Sequence, residues 1–307
     1  MRRHSILSIK PCSFICVTAA IFLVSIAGAA EKTPTFPAPD GPLSILHSHN
    51  DFAQEHPLDT ALENGITSVE ADVTDRRGEV RVVHLGLWTY GSLKDLYLDR
   101  LQKLVDEKGS VYGDGKKFTL WIEMRPFITS RKVVPLLRSL LSKYPMLAQY
   151  GKDGKEVKPG PVTAVLMNVH SRDYFDGLET APACLTVSRA AEKDQPNASF
   201  QCYVHFRWAS QFTWMGNGEM PRPEIEKLRM LQRDAHSRGL RTRYWGIPDH
   251  AEFWKRALTL PFDLVGTDQL HQTRLYLAPA LPHATLPTKK LPSAEVPRGL
   301  PVGKGSP

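Results

Sequence analysis

Three short groups of residues near the start of the sequence have the composition of a metal-assisted hydrolytic site. The first is His47-Ser48-His49-Asn50-Asp51, the second is Glu70-Ala71-Asp72, and the third is His84. Each group lies at or near the end of a short apolar segment with β-branched residues. Carboxylates bind hard cations and histidines transfer protons, so these residue types in this order predict a hydrolytic metal site.

Glu70 and Asp72 are expected to bind one cation together. Acids two residues apart on a strand point to the same face. Glu123, near the end of a later strand-like segment, supplies a third carboxylate. An all-oxygen set of ligands favours Mg²⁺ or Ca²⁺ over Zn²⁺. Two histidines would then act as general base and general acid, and Arg125 with the cation would neutralise a phosphoryl group.

Strand-like and helix-like segments alternate along most of the chain. Strands are predicted at residues 44–47, 68–73, 80–85, 118–124, 162–168, 184–187, 202–206, 242–245 and 264–267. Alternation of this kind indicates parallel strands, and about eight of them favour a closed barrel over an open sheet. A glycine-rich phosphate loop is missing, which also argues against the open nucleotide-binding sheet. We therefore predict an α/β fold, a single-domain (β/α)8 TIM barrel over residues 43–282.

In such a barrel the functional residues meet at the C-terminal ends of the strands. The residues that fall at or just inside these ends are His49, Glu70, Asp72, Glu123, Arg243 and Asp268.

The first thirty residues have the composition of a secretory signal peptide. Three basic residues precede an apolar stretch over residues 14–26, and Ala27-Gly28-Ala29 supplies the small residues that precede cleavage. We therefore expect residues 1–30 to be removed and the protein to be exported, to the periplasm or the medium. The apolar stretch is short for a spanning helix, so no stable membrane span is expected after cleavage.

The remaining composition describes a globular protein with flexible ends. Residues 31–42 are Pro-rich and predict a linker, and residues 283–307, with repeated Pro and Gly, predict a disordered tail. Removal of the signal takes away three of the 39 basic residues, which leaves 36 against 32 acids, a formal charge of about +4. These charges are mixed rather than clustered, so no nucleic-acid partner is expected.

Two of the four cysteines, Cys184 and Cys202, lie outside the signal peptide. Export permits a disulfide between them, across the loop-like residues 191–199. Two buried free thiols are the alternative, and the sequence leaves both open.

The chain resembles the superfamily of phosphatidylinositol-specific phospholipase C and glycerophosphodiester phosphodiesterases, and in particular the subgroup that opens with His-Ser-His-Asn-Asp. The likeness runs from Leu46 to about Leu270. The segments that carry it are residues 47–52, 68–73, 84, 121–125, 243–249 and 266–268.

The resemblance implies a (β/α)8 barrel that cleaves a small or lipid-headgroup phosphodiester with two histidines and a divalent cation. It matches His49, with His47 as the alternative, to the first catalytic histidine, and His84 to the second. It matches the three carboxylates named above to the metal ligands. The residues expected to contact the substrate or its phosphate are Asn50, Arg125, Arg243 and Trp245; Arg125 stands where a phosphate-contacting lysine is common.

Two departures from the family pattern bear on activity. Leu85 follows His84, where an aspartate is usual, and this change would weaken catalysis. The arginine of the His-Arg-Gly opening of glycerophosphodiesterases is missing, which argues against glycerophosphodiesters as substrates. Attack by water and attack by a substrate hydroxyl, which releases a cyclic phosphate, both stay open.

Two other functions compete with this prediction. His47-x-His49 on the first strand, with His170, His205 and Asp268 on later ones, is also typical of amidohydrolase-type barrels that bind zinc through histidine. Leu85 motivates the other alternative, a non-catalytic binding protein on a decayed phosphodiesterase barrel. Dependence on zinc would distinguish the amidohydrolase-type barrel from the phosphodiesterase. Absence of both metal binding and activity would indicate the binding protein.

Overall fold

The apolar, β-branched segments of the sequence form eight parallel strands that lie side by side in the order in which they occur along the chain. The structure, a computed structural model, describes residues 43–84, 88–125, 130–189 and 199–277. The predicted signal peptide, linker and tail, and Leu85, lie outside the described residues.

The strands are β1 (Leu43–Ser48), β2 (Ile66–Arg76), β3 (Glu79–His84), β4 (Trp88–Ser92), β5 (Phe118–Met124), β6 (Gln149–Gly151), β7 (Glu156–Lys158), β8 (Val162–Met167), β9 (Thr180–Ala181), β10 (Cys184–Ser188), β11 (Gln201–Arg207), β12 (Arg241–Trp245) and β13 (Val265–Thr267). The helices are α1 (Asp59–Glu63), α2 (Asp99–Lys108), α3 (Ser130–Leu141), α4 (Ser171–Phe175), α5 (Arg222–Ser237), α6 (Ala251–Ala257) and α7 (Leu270–Leu277).

The parallel strands form a barrel. Neighbouring strands pair in the order β12-β11-β10-β8-β5-β2-β1-β13, so the first strand of the series pairs with the last. β12 and β13 also lie against each other, which completes the circle. A helix follows each strand of the series except β10, after which residues 190–198 are not described. The predicted (β/α)8 TIM barrel is therefore confirmed.

The strands of the barrel are buried on both faces, as their composition predicts. Every residue of β5 is buried, and so are the first nine residues of β2. Helices cover the outer face of parallel strands, so these strands read as continuous apolar runs. α5 shows the complementary pattern, with Leu228, Gln232 and Ala235 buried along one stripe. Gly239, at φ 73°, follows its C-terminus in the left-handed conformation that ends many helices.

A β-hairpin carries His84 to the barrel mouth. β2 pairs with β3 in antiparallel fashion, and Arg77 and Gly78 both have positive φ at the turn between them. A two-residue turn of this kind matches the twist of a hairpin. His84 therefore lies at the end of a strand that folds back from β2, and it is not on a barrel strand.

Cys184 and Cys202 form a disulfide that joins the starts of β10 and β11. The two Cα atoms lie 5.8 Å apart. Of the two alternatives left open by the sequence, the structure has the disulfide. Within the described ranges, no helix has the length and apolar character needed to cross a membrane.

Candidate metal centre and active site

Three buried carboxylates converge at the C-terminal ends of two neighbouring barrel strands. Glu70 and Asp72 point inward from β2, and Glu123 points inward from β5 as the register partner of Asp72. One oxygen of each carboxylate lies within 4.8 Å of the others. Parallel register and side-chain alternation therefore bring together the three acids that the sequence predicts as metal ligands.

Glu70 accepts hydrogen bonds from two buried side chains, Arg243 and His47. Arg243 donates from Nη2 to its Oε2 over 2.6 Å, and His47 donates from Nε2 to the same oxygen over 3.3 Å. Burial opposes ionisation, but Arg243 and His47 hold the pKa of Glu70 well below its usual range. Arg243 crosses the barrel from β12 to make this contact, and its guanidinium lies 4.8 Å from the ring centroid of Trp121.

The pKa values of Asp72 and Glu123 are raised, whereas that of Glu70 is lowered. Burial and the charge of Glu70 raise the pKa of Asp72 to about 7. Burial, Glu70 and Asp72 raise the pKa of Glu123 to about 9. The Oδ1 atom of Asp72 is buried without a hydrogen-bond partner among the described residues. An unpaired buried carboxylate oxygen beside two more carboxylates fits a hard divalent cation, and the donor set suits Mg²⁺ or Ca²⁺.

Two further side chains hold these acids in place. Arg125 lies 2.8 Å from Glu123 Oε1 through Nη2 and 3.2 Å from Asp72 Oδ2 through Nε, and its side chain is 40% exposed. Asn168, in the left-handed conformation at φ 57°, donates from Nδ2 to Glu123 Oε1 over 2.5 Å. The predicted phosphate ligand Arg125 is therefore near the triad and partly open to solvent. Asn168 was not predicted, since nothing in its sequence surroundings marks it.

His49 and Asp268 form a hydrogen-bonded pair at the mouth of the barrel. His49 Nδ1 lies 2.9 Å from Asp268 Oδ1. Asp268 is fixed through its backbone as well, because its N–H donates to Asp249 Oδ2 over 2.9 Å and its carbonyl accepts from Gln54 Nε2 over 3.0 Å. Burial alone would lower the pKa of His49, but the Asp268 hydrogen bond and the charge of Glu70 raise it.

His84 lies in an aromatic environment at the same mouth. Its ring lies 5.7 Å from that of Phe52 and 6.2 Å from that of Trp88, between centroids. Its Nδ1 is buried without a hydrogen-bond partner among the described residues. Burial, followed by the charges of Arg125 and His49, lowers its pKa. The two predicted catalytic histidines therefore have pKa values shifted in opposite directions.

His47 lies inside the barrel, fully buried. Trp121 Nε1 donates to Ser68 Oγ over 3.1 Å, and Ser68 Oγ lies 2.9 Å from His47 Nδ1. Because Nε2 donates to Glu70, Nδ1 is the acceptor of the Ser68 hydroxyl. Burial and the charge of Arg243 lower the pKa of His47 to about 4, so the ring is neutral. In this position His47 orients Glu70, whereas His49 reaches the open mouth.

Asp51, the last residue of the first motif, has a structural role. It is buried and accepts hydrogen bonds from Ser48 Oγ, Leu58 N and Tyr97 Oη, at 2.7, 2.7 and 2.9 Å. These bonds fix the turn after β1, and Asn50 enters that turn in the left-handed conformation at φ 46°. Asp51 therefore positions the segment that carries His49 and Asn50.

The remaining predicted substrate contacts differ in exposure. Asn50 is half-buried, and its Nδ2 lies 3.2 Å from His49 Nδ1. Trp245, at the end of β12, is 42% exposed at the mouth, and the Arg207 guanidinium carbon lies 5.7 Å from its ring centroid. Arg243, expected to contact the substrate, is buried and forms a salt bridge with Glu70 instead.

The histidines proposed for a zinc site do not meet. His47 has hydrogen bonds at both ring nitrogens, and His205 lies 3.0 Å from Thr186 Oγ1 through Nδ1. His170 is exposed. Among the residues the structure describes, the one group of acids, histidines or cysteines with metal-binding spacing is the carboxylate triad.

Comparison with protein families gives a partial match. Residues 41–118 match the family described as AIM6-like phosphodiesterase domain. That segment contains both histidine motifs and two of the three acids, and it ends before Glu123.

Two curated relatives share the name altered inheritance of mitochondria protein 6. The protein from Eremothecium gossypii is 26% identical in an alignment of 273 residues that covers 74% of this chain and 68% of the relative. The protein from Lachancea thermotolerans is 26% identical in an alignment of 276 residues that covers 74% of this chain and 64% of the relative. The chain thus spans about two thirds of the length of these relatives.

Solved structures give more distant likenesses. A glycerophosphodiester phosphodiesterase from Parabacteroides distasonis aligns at 12% identity and a TM-score of 0.49, over 78% of this chain and 98% of that one. Another from Agrobacterium tumefaciens aligns at 14% identity and a TM-score of 0.40, over 76% and 99%. Residues 41–118 are thus similar to an AIM6-like phosphodiesterase domain, and they belong to a barrel with three converging acids and two histidines at its mouth.

Proposed function

We propose that the protein is a metal-dependent phosphodiesterase that cleaves a small or lipid-derived phosphodiester by general acid–base catalysis. The observation that carries the proposal is the position of the Glu70–Asp72–Glu123 triad at the same barrel mouth as His49 and His84. The match of residues 41–118 to a phosphodiesterase domain family supports it.

The two histidines divide the proton transfers according to their pKa values. His49, with a raised pKa, is protonated more readily and donates its Nε2 proton to the leaving oxygen. His84, with a lowered pKa, is neutral and accepts the proton of the attacking hydroxyl. If the attacking group is water, the products are a phosphate monoester and an alcohol. If it is a substrate hydroxyl, the products are a cyclic phosphodiester and an alcohol.

The acids and Arg125 prepare the site for the phosphoryl group. Glu70, Asp72 and Glu123 would hold a divalent cation, Mg²⁺ or Ca²⁺, which supplies Lewis-acid stabilisation of phosphoryl oxygens when bound. Arg125, held by two of these carboxylates and 40% exposed, donates to a phosphoryl oxygen from the solvent side. His47 and Arg243 keep Glu70 ionised and oriented.

Export is part of the proposal. It is supported by the signal-like composition of residues 1–30. The Cys184–Cys202 disulfide is of the kind that persists in oxidising compartments.

The activity is tested by hydrolysis of bis(p-nitrophenyl) phosphate with Mg²⁺, Ca²⁺, Mn²⁺, Zn²⁺ or EDTA. We expect activity with at least one of the first three cations, none in EDTA, and a loss of roughly 100-fold or more in His49→Ala, His84→Ala and Glu123→Gln. Matched controls are His56→Ala and Glu63→Gln, which change an exposed histidine and an exposed acid of the same region.

Two other outcomes would favour the alternative functions. Activity with Zn²⁺ alone would favour the amidohydrolase-type chemistry. Absence of both activity and cation binding, measured by calorimetry, would favour a binding protein on a decayed barrel. Product analysis by ³¹P NMR with a hydroxyl-bearing diester separates hydrolysis from cyclisation.

A further inference from the structure

Arg207 is a basic residue at the barrel mouth that the mechanism above does not use. It is the last residue of β11 and is exposed. In the part of the chain that the structure describes, no carboxylate lies within salt-bridge distance of it. Its described contact is with the exposed ring of Trp245. An unpaired guanidinium against an indole face is held in orientation while its N–H groups stay free for a ligand.

Strand register places both side chains over the barrel interior. Arg207 is the register partner of Trp245, and His205 is the register partner of Arg243. Side chains two residues apart on a strand share a face, so Trp245 lies on the same face of β12 as Arg243, about 6.6 Å further toward the mouth. Arg243 points inward, since it contacts Glu70. Arg207 and Trp245 therefore line the entrance to the site.

The pair lies across the barrel from the acidic triad. β11 and β12 are the sixth and seventh strands of the barrel, whereas Glu70, Asp72 and Glu123 are on the second and third. In a circle of eight strands, the sixth faces the second and the seventh faces the third. A scissile phosphate bound at the triad is close to Arg125, so a cation on the opposite wall meets a different part of the substrate.

We propose that Arg207 and Trp245 form a second anion site, which binds a negatively charged substituent on the alcohol portion of the substrate. The planar guanidinium offers paired N–H donors to a phosphate monoester or a carboxylate. The Trp245 ring packs against the carbon skeleton that joins this substituent to the scissile ester. The preferred substrate is then a phosphodiester that carries an additional anionic group; this inference rests on the proposed phosphodiesterase activity.

The test compares two p-nitrophenyl phosphodiesters whose second alcohol is 2,3-dihydroxypropyl in one and 2-hydroxy-3-phosphoryloxypropyl in the other. Both offer the same neighbouring hydroxyl, so they differ only in the terminal phosphate. We expect the native protein to have a lower KM for the phosphorylated diester. Arg207→Gln should raise that KM about 10-fold, the loss of one charge-assisted contact, while kcat changes less than twofold. The KM for the dihydroxypropyl diester should stay within twofold. Arg207→Lys should retain part of the preference for the phosphorylated diester. Arg233→Ala, at an exposed position on α5, should leave the KM for both diesters unchanged.

Two results would overturn the proposal. An equal loss on both diesters would show that Arg207 contacts the scissile phosphate or supports the fold. An unchanged preference in Arg207→Gln would show that another residue selects the anion. Cleavage of the dihydroxypropyl diester by the native protein reports on the phosphodiesterase activity alone, so a failure of the proposed function is seen separately.

Discussion

His49 and Asp268 are 219 positions apart in the chain, and a 2.9 Å hydrogen bond joins Nδ1 of the first to Oδ1 of the second. His49 follows the first strand of the barrel and Asp268 follows the eighth, and these two strands are paired. The bond leaves Nε2 of His49 as the nitrogen available at the mouth. A carboxylate that binds one ring nitrogen fixes the tautomer and raises the basicity of the ring.

Asp268→Asn tests this pair through the pH profile. The carboxylate of Asp268 raises the pKa of His49, so an amide in its place lowers that pKa. In the proposed mechanism His49 acts in its protonated form, and activity falls as pH rises through its pKa. We expect the basic limb of the kcat profile to move to lower pH, and kcat at neutral pH to fall roughly 10- to 100-fold. A profile of unchanged shape would contradict a role of Asp268 in proton transfer.

Asp72→Asn should separate stability from cation binding. The pKa of Asp72 is raised to about 7 in the folded protein, above its ordinary value of 3.8, so its stability contribution is full at low pH and is lost as pH rises through 7. Removing this acid should therefore raise Tm in EDTA at pH 8 by several degrees and flatten its decline with pH. Calorimetric titration with Mg²⁺ or Ca²⁺ should show binding at least 10-fold weaker. A lower Tm in EDTA at pH 8 would contradict the repulsion between these acids.

Arg243 and Glu70 should be coupled in stability. Both side chains are buried, and removal of either leaves the other charge without its main partner. Arg243→Met and Glu70→Gln are each expected to lower the free energy of unfolding by roughly 3–5 kcal/mol. The double variant should lose clearly less than the sum of the two, measured by urea unfolding in EDTA. Additive losses would mean that the pair acts independently.

The disulfide should stabilise the barrel between its fifth and sixth strands. Cys184 and Cys202 are 18 positions apart, and a cross-link of this span contributes about 3 kcal/mol. The double variant Cys184→Ser/Cys202→Ser should unfold at lower temperature, and dithiothreitol should lower the Tm of the native protein to the same value. The reductant should leave the Tm of the double variant unchanged. If dithiothreitol lowers the Tm of both proteins, the effect does not come from this disulfide.

Much of the acidic site could be predicted from local sequence. The alternation of side chains on a strand is enough to place Glu70 and Asp72 on one face, and Glu123 lies near the end of a buried run of the same kind. Parallel register then brings Asp72 and Glu123 into the same layer. The strand that carries His84 was also predicted, although its antiparallel pairing with β2 depends on the turn at Arg77 and Gly78.

The rest depends on contacts across the barrel, which local patterns do not record. Arg243 reaches Glu70 from a strand 173 positions away, and this explains why it is buried on an acid. Asn168 reaches Glu123 because its backbone takes the left-handed conformation after β8. The Asp249 and Gln54 bonds to Asp268 join three separate loops. Such relationships arise only when the strands have closed into a circle.

The pairing of β1 with β13 also determines when His49, the proposed general acid, acquires its carboxylate partner. During synthesis the acids and both histidines are made long before Asp268, so His49 gains its partner only when the eighth strand has docked. In the proposed mechanism, competence for proton transfer is then acquired late in folding and is absent from a barrel that is still open. For the same reason, detachment of the last strand alone would remove the partner of His49 while the other strands stay paired.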